Sequence, residues 1–251
     1  MEIIEWTQLP SEMQTEEVRK YYDILKKKRT SLFFKRIFDL VISVIALITL
    51  FPVYLILAIA IKLDSPGPVF YRQERVTQYG ERFYIHKFRT MIQNADKKSQ
   101  LTVNNDSRIT RIGKVIRDYR LDEIAQLLDV IQGNMTLVGV RPESPKYVAE
   151  YSNEMMATLL LPAGVTSLAS IYYKDEAKLL NDVKNTDKIY IEKILPGKMY
   201  YNLKDLEQFN FWHDIKILFM TVFAILGKEY KSDNHEVATE EIESCSEKAT
   251  V

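Results

Sequence analysis

The strongest constraint on this chain is an apolar run from Leu40 to Ile61, interrupted only by Pro52 near its centre. As one straight helix the run would be ~33 Å long, close to the ~30 Å hydrocarbon core of a bilayer. A charge-free run of that length reads as a retained membrane segment. It starts too far from Met1 for an ordinary secretory signal, and no small-residue cleavage site follows it. Pro52 removes a backbone donor and bends a helix at that point. Lys35 and Arg36 precede the run, and Lys62, Arg72 and Arg75 follow it, so the positive-inside tendency sets no orientation. Two arrangements satisfy these facts. One is a kinked single crossing; the other is a helix-break-helix hairpin with both ends in the cytoplasm.

Around this segment, 251 residues leave room for one substantial domain with extensions. Formal charge is zero, so no global field argues for nucleic acid. The balance is local: Lys26 to Arg29, Lys35 and Arg36 crowd the entrance to the apolar run, and the tail from Glu229 is mostly acidic and reads as disordered. A single Cys245 excludes an intrachain disulfide. Ser11 with Gln14 resembles a capping box that opens a charged helix to about Thr30, either solvated or lying on a membrane or a partner. Breakers at Asp64 to Pro68 close the membrane segment. Val69–Tyr71 and Phe83–Ile85 then read as a hairpin around Gln78-Tyr79-Gly80. Helical periodicity is predicted over Met91–Lys98, Gly113–Ile131 and Ser144–Leu160. Asp205–Gly227 is apolar but carries Trp212, His213, Asp214 and Lys216, which suits a headgroup boundary or a core helix.

The chemistry-bearing stretch is Arg117 to Leu128. Leu121, Ile124, Leu127 and Leu128 share one helical face, so a helix beginning near Asp122 places Asp122 and Glu123 in its first turn. The helix dipole alone explains acids there. Their company suggests more, because Lys87, Arg89, Arg108, Arg111, Arg117 and Arg141 are gathered around them in sequence, and arginine forks match phosphate oxygens. One carboxylate can attack phosphorus, and its neighbour can help hold Mg²⁺ against the same phosphate. No His/Cys metal cluster, P-loop, dinucleotide loop or nucleophile elbow is present, and His86 reads as structural.

These residues carry a resemblance. Lys35-Arg36-Ile37-Phe38-Asp39, Lys62 to Phe70, Lys87-Phe88-Arg89-Thr90-Met91, Asp106 to Gly113, Leu121-Asp122-Glu123 and Gly133 to Pro142 together resemble the bacterial sugar transferases, the monotopic polyprenyl-phosphate phosphoglycosyl transferases. Weaker similarity runs to about Leu226. The resemblance implies an α+β, mostly helical fold. Its parts are a re-entrant membrane helix hairpin broken at Pro52 and a small cytoplasmic catalytic domain with a short β-hairpin and amphipathic interfacial helices. On this reading 1–34 is an N-terminal extension, 35–63 the membrane hairpin, 64–228 the catalytic domain and 229–251 the acidic tail. It implies transfer of a phosphosugar from a UDP-sugar to undecaprenyl phosphate at the bacterial inner membrane, on the cytoplasmic face, as an initiating step of surface polysaccharide synthesis.

By position, Asp122 is then the nucleophile and Glu123 its partner near Mg²⁺. Lys87, Arg89, Arg108, Arg111, Arg117 and Arg141 are substrate contacts, and Asp214 matches a family acidic position. The implied partners are the UDP-sugar, undecaprenyl phosphate and membrane lipid, with no nucleic acid and with a homo-oligomer compatible. Ala125, Val140 and Phe51 depart from the family pattern, as does Pro162 to Ser167, and none of them removes a chemical group from the site. The rival reading is a non-catalytic membrane-attached scaffold for a glycan assembly complex, in which the acids merely cap a helix.

Overall fold

The computed structural model describes residues 1, 3–93, 95, 106–174, 186–228 and 230. The acidic tail expected at 229–251 lies, Tyr230 apart, outside the described residues, as does Cys245. The first helix, α1 (Glu16–Lys26), opens at Thr15 and not at Ser11, because the Thr15 hydroxyl accepts from the Val18 amide at 3.4 Å while Ser11–Met13 forms a single 3-10 turn. This helix packs one face into the domain and leaves Glu16, Glu17, Arg19 and Lys20 exposed on the other. Val18, Tyr21, Tyr22 and Leu25 are buried with Ile3, Leu9 and Met13 in a core shared with Leu159, Leu160 and Phe209. The Tyr21 hydroxyl donates to Glu154 at 2.7 Å, and the Lys28 ammonium donates to the Phe209 carbonyl at 2.9 Å.

Helix α2 (Arg29–Asp64) begins well before Leu40 and continues as one helix past Pro52, which lies inside it. The early start follows from a buried stripe at Leu32, Lys35, Asp39 and Ser43, whose spacing puts all four on one face. Beyond Pro52 the stripe resumes at Leu57 and Ile61. The opposite side is bare, with Ile48 70% and Phe51 65% exposed. Among the described residues this is the one helix long and apolar enough to cross a membrane, at 36 residues and a peak mean hydropathy of 2.8.

The expected hairpin is present and longer than its apolar triplets suggested. β1 (Phe70–Val76) pairs antiparallel with β2 (Arg82–Phe88), with Tyr71 opposite Lys87 and Arg75 opposite Phe83. Tyr79 and Gly80 make the turn with φ of 57° and 80°. Met91, expected to be helical, instead makes an antiparallel bridge to Ile109. The helix expected over Gly113–Ile131 is split. α3 (Arg111–Asp118), capped by Thr110, ends where Arg120 takes a left-handed φ of 53°, and a 3-10 helix over Leu121–Gln126 leads into α4 (Leu127–Gln132).

β3 (Met135–Val138) then pairs parallel with β4 (Ala163–Thr166). The pairing depends on Gly164, where a Cβ would lie 2.1 Å from the Gly139 carbonyl oxygen. The helix expected over Ser144–Leu160 is only α5 (Pro145–Val148) and a 3-10 helix at Met155–Leu160, since polar Ser152 and Asn153 interrupt it. α6 (Leu168–Tyr172) follows. α7 (Thr186–Ile189) leads through a π-turn at Tyr190–Ile194 into α8 (Leu195–Glu207). The apolar stretch at 205–227 also divides, because the Asn210 side chain accepts from the Trp212 amide and starts α9 (Phe211–Ile225) afresh. α9 buries Asp214 and Ile217 and exposes Trp212, Phe219 and Val222.

Candidate active site

Three elements meet at the two acids. β2 brings Lys87 and packs along the Leu121–Gln126 segment, and the loop after β3 brings Arg141. The left-handed Arg120 ends α3 and restarts the chain, so that Asp122 and Glu123 fall in a first turn as the periodicity predicts. Non-glycine residues hold that conformation only where the surroundings over-determine it. Here the Arg120 guanidinium donates to the Lys174 carbonyl at 2.8 Å.

The adjacent carboxylates differ in their commitments. Glu123 is gripped by both Nη atoms of Arg141, Nη1 reaching Oε2 at 3.1 Å and Nη2 pairing with Oε1. Burial would raise its pKa, but the Arg141 guanidinium and Lys87 hold this carboxyl well below the usual range. Asp122 has no hydrogen-bond or ion-pair partner among the described residues. Burial, then the neighbouring Glu123 charge, push its pKa up against the pull of Lys87, Arg117 and Arg141. Lys87 itself is drawn down to about 8, by burial first and the Arg141 charge second, in spite of both acids. Glu123 is therefore fixed and ionised in its Arg141 clamp, while Asp122 has no such partner among the described residues and lies in the field of Lys87, Arg117 and Arg141.

The other predicted residues divide. Arg117 lies close, its Nη1 3.5 Å from the Thr90 hydroxyl and its charge acting on Asp122. Arg111 is exposed at the start of α3. Arg89 is directed elsewhere: its buried guanidinium donates to the carbonyls of Pro66 and Ser65, each at 2.6 Å, and of Ile61 at 3.2 Å, closing the C-terminus of α2. Arg108 forks onto Asp106 and reaches the Ala95 carbonyl at 2.8 Å.

Asp214 is not with the acids. Its carboxylate meets Lys35 at 2.7 Å, and Lys35 in turn lies 3.6 Å from Asp39, which accepts from the Thr136 hydroxyl, so this buried set ties α2 to α9 and β3. His86 is structural as expected, bonded through Nδ1 to Asp129 at 2.7 Å. Sequence reasoning did not assign roles to Arg120 and Arg75. Arg120 sat beside the site but carried no sign of its left-handed backbone. Arg75 entered only as one of the basic residues that follow the apolar run.

Asp122 and Glu123 supply two adjacent hard oxygen donors, and no cluster of three His, Cys, Asp or Glu exists among the described residues. That set fits Mg²⁺, which commonly binds through one or two carboxylates and takes the rest from water and substrate phosphate.

The sequence pattern described as bacterial sugar transferase matches residues 30–228. The chain belongs to that family. Among relatives of this sugar transferase, the UDP-N-acetylgalactosamine-undecaprenyl-phosphate N-acetylgalactosaminephosphotransferase of Aeromonas hydrophila is 36% identical over 198 residues, covering 77% of this chain and 44% of that protein. The UDP-glucose:undecaprenyl-phosphate glucose-1-phosphate transferase of Xanthomonas campestris pv. campestris is 33% identical over 201 residues, covering 78% of this chain and 39% of its own length. The chain thus spans less than half the length of these two relatives. A shorter relative, a putative undecaprenyl-phosphate N-acetylgalactosaminyl 1-phosphate transferase of Bacillus subtilis, is 36% identical over 135 residues, or 53% of this chain and 75% of that protein.

Proposed function

We propose that this chain transfers a phosphosugar from a UDP-sugar to undecaprenyl phosphate through a covalent intermediate on Asp122. The observation that carries the reading is the unpaired Asp122 carboxylate beside an Arg141-clamped Glu123, under Lys87 and Arg117. An Asp122 oxygen attacks the sugar-bearing phosphorus, the phosphoanhydride P–O bond breaks, and UMP leaves with the electron pair. An oxygen of the lipid phosphate then attacks the same phosphorus. The acyl-phosphate bond breaks, Asp122 is restored as carboxylate, and the product is a polyprenyl-diphosphate sugar. Lys87, Arg117 and Arg141 meet the charge that builds on the phosphoryl oxygens. Mg²⁺ held by Asp122 and Glu123 would supply further charge neutralisation on the diphosphate. The relatives' names, which specify nucleotide-sugar donors and undecaprenyl phosphate, support the substrate class.

The membrane reading extends this proposal. The catalytic unit grips α2 on both sides of Pro52. Arg36 donates to the Val130 carbonyl at 2.8 Å before it, while Tyr54 donates to the Ile124 carbonyl at 2.5 Å and Arg89 holds the Ile61 carbonyl at 3.2 Å after it. A helix crossing the bilayer would carry one half away from that unit, so these contacts favour a re-entrant segment with both ends on the cytoplasmic face of the inner membrane. The exposed apolar side of α9 lies at the same interface. The lipid phosphate then reaches Asp122 without leaving the surface.

Membranes containing the chain should release at most one UMP per chain with a UDP-sugar and Mg²⁺ alone, and should turn over repeatedly only when undecaprenyl phosphate is also present. No release with any UDP-sugar in a panel would favour the scaffold reading. For topology, Cys245 is replaced and single cysteines are placed at Arg29 and Lys62. Labelling of the two from opposite sides of the membrane would exclude the re-entrant arrangement.

A further inference from the structure

Arg75 is a guanidinium inside the domain for which the mechanism above has no use. It lies on β1 two residues past Gln73, so the period-2 alternation of a strand puts both on the hairpin face that carries Lys87. Its Nη2 donates to the Gln73 amide oxygen at 2.7 Å, but its Nε is buried with no partner. A buried donor left open is unfavourable unless an acceptor meets it in a working state of the protein. The surroundings are arranged to keep the group in place. The Val76 amide donates to the Glu143 carbonyl at 3.0 Å, which fixes the next residue against the segment after Arg141. The Glu143 carboxylate accepts from the Tyr190 hydroxyl at 2.6 Å and from the Lys198 ammonium at 3.0 Å, and so is neutralised by Lys198 rather than by a fork from Arg75. Burial, the first influence on the guanidinium, and the Arg141 charge both weaken its hold on the proton, with Glu143 opposing. Arg75 is thus a cation near Lys87 and Arg141 whose open N–H has no acceptor within the described residues.

We infer that Arg75 is a further phosphate-binding residue, receiving the nucleotide phosphate that leaves as UMP. The charges that act on Asp122 are Glu123, Lys87, Arg117 and Arg141, and these surround the phosphorus that Asp122 attacks. Arg75 shares the hairpin face of Lys87 but lies two same-face pairs along the strands from it, a separation that suits the second phosphate of a diphosphate rather than the one attacked. A planar fork with a free Nε offers that phosphate two oxygens' worth of recognition. Glu143, through Val76 and Lys198, is a positioning residue for it.

This inference rests on the proposed phosphosugar transfer, and one experiment separates the two. Full-length wild type and Arg75→Gln are reconstituted in nanodiscs and assayed for UMP release. The inference expects the KM for UDP-sugar and the inhibition constant of UMP each to rise roughly tenfold or more, from loss of a charged hydrogen bond. The KM for undecaprenyl phosphate should stay within about twofold of wild type, and Arg75→Lys should recover part of the UMP affinity by restoring the charge without the fork. Wild-type silence would sink the transfer reading itself. Wild-type turnover with Arg75→Gln unchanged in UMP inhibition, or with both substrates weakened equally, would overturn only the assignment of Arg75. If Arg75→Gln does not fold, Arg75→Lys alone decides, since unaltered UMP inhibition in it contradicts the fork.

Discussion

Replacing Lys87 with Met should make the protein more stable and nearly inactive. The Lys87 ammonium is held at about 8, down from an ordinary 10.5. At ~1.4 kcal/mol per pH unit, that difference bounds the destabilisation from keeping the charge at pH 7 at ~3 kcal/mol. Lys87 is half-buried and keeps part of its hydration, so about 1–2 kcal/mol is the expected gain. The sign follows from proton linkage. Below pH 8 both folded and unfolded chains carry the proton and the penalty is complete. Between 8 and 10.5 the folded chain releases it first, and the penalty fades. Thermal melting in nanodiscs should therefore show Lys87→Met raised by about 2–6 °C at pH 7, with the gain shrinking by pH 10. Its UMP release should fall by about 10²-fold or more, as for loss of one preorganised cation at a phosphoryl transition state. A Lys87→Met protein that melts lower at pH 7, or whose gain is the same at pH 7 and 10, would refute the reasoning.

The pH profile of kcat/KM should fall above about pH 8 as Lys87 loses its proton, and its acid limb should lie above the ordinary aspartate range because the Asp122 pKa is raised. A profile flat from pH 7 to 9.5 would contradict the Lys87 role. Arg89→Met should act on stability, because it strips three carbonyls at the end of α2. A loss of about 3 kcal/mol is expected, read as a lower melting temperature with the KM for UDP-sugar unchanged among molecules that fold. The reverse pattern would restore Arg89 as a substrate contact. Gly164→Ala should lower the melting temperature by on the order of 5–10 °C, since its Cβ meets the Gly139 backbone; a neutral change would show that the β3–β4 pairing tolerates displacement.

Legibility from the sequence followed the range of the interactions. Periodicity is local, and it placed the hairpin and the helical start at Asp122, while the apolar run marked a helix long and apolar enough to cross a membrane. Interruptions that depend on one backbone dihedral were invisible, so the left-handed Arg120 divided an apparently continuous helix. The β3–β4 pair was missed because a parallel pairing joins residues far apart in sequence, and its key signal, the approach of Gly164 to Gly139, exists only in three dimensions. The helix α1 read as part of a charged extension, and the burial of its Val18, Tyr21, Tyr22 and Leu25 face depends on partners far along the chain. In the site, residue types were readable but destinations were not. Arg89 and Arg141 looked alike in sequence, yet one closes a helix and the other grips Glu123. Asp214 looked like a site acid, but a buried Lys35 holds it.

The central claim is that Asp122 takes a phosphosugar onto its own carboxylate. The direct test is mass spectrometry of the purified full-length chain incubated with UDP-sugar and Mg²⁺ in the absence of undecaprenyl phosphate, then quenched and digested. The account predicts a phosphosugar mass on the peptide carrying Asp122, lost on adding undecaprenyl phosphate and absent from Asp122→Asn. UMP release with no adduct on that peptide, or an adduct that persists in Asp122→Asn, would contradict it.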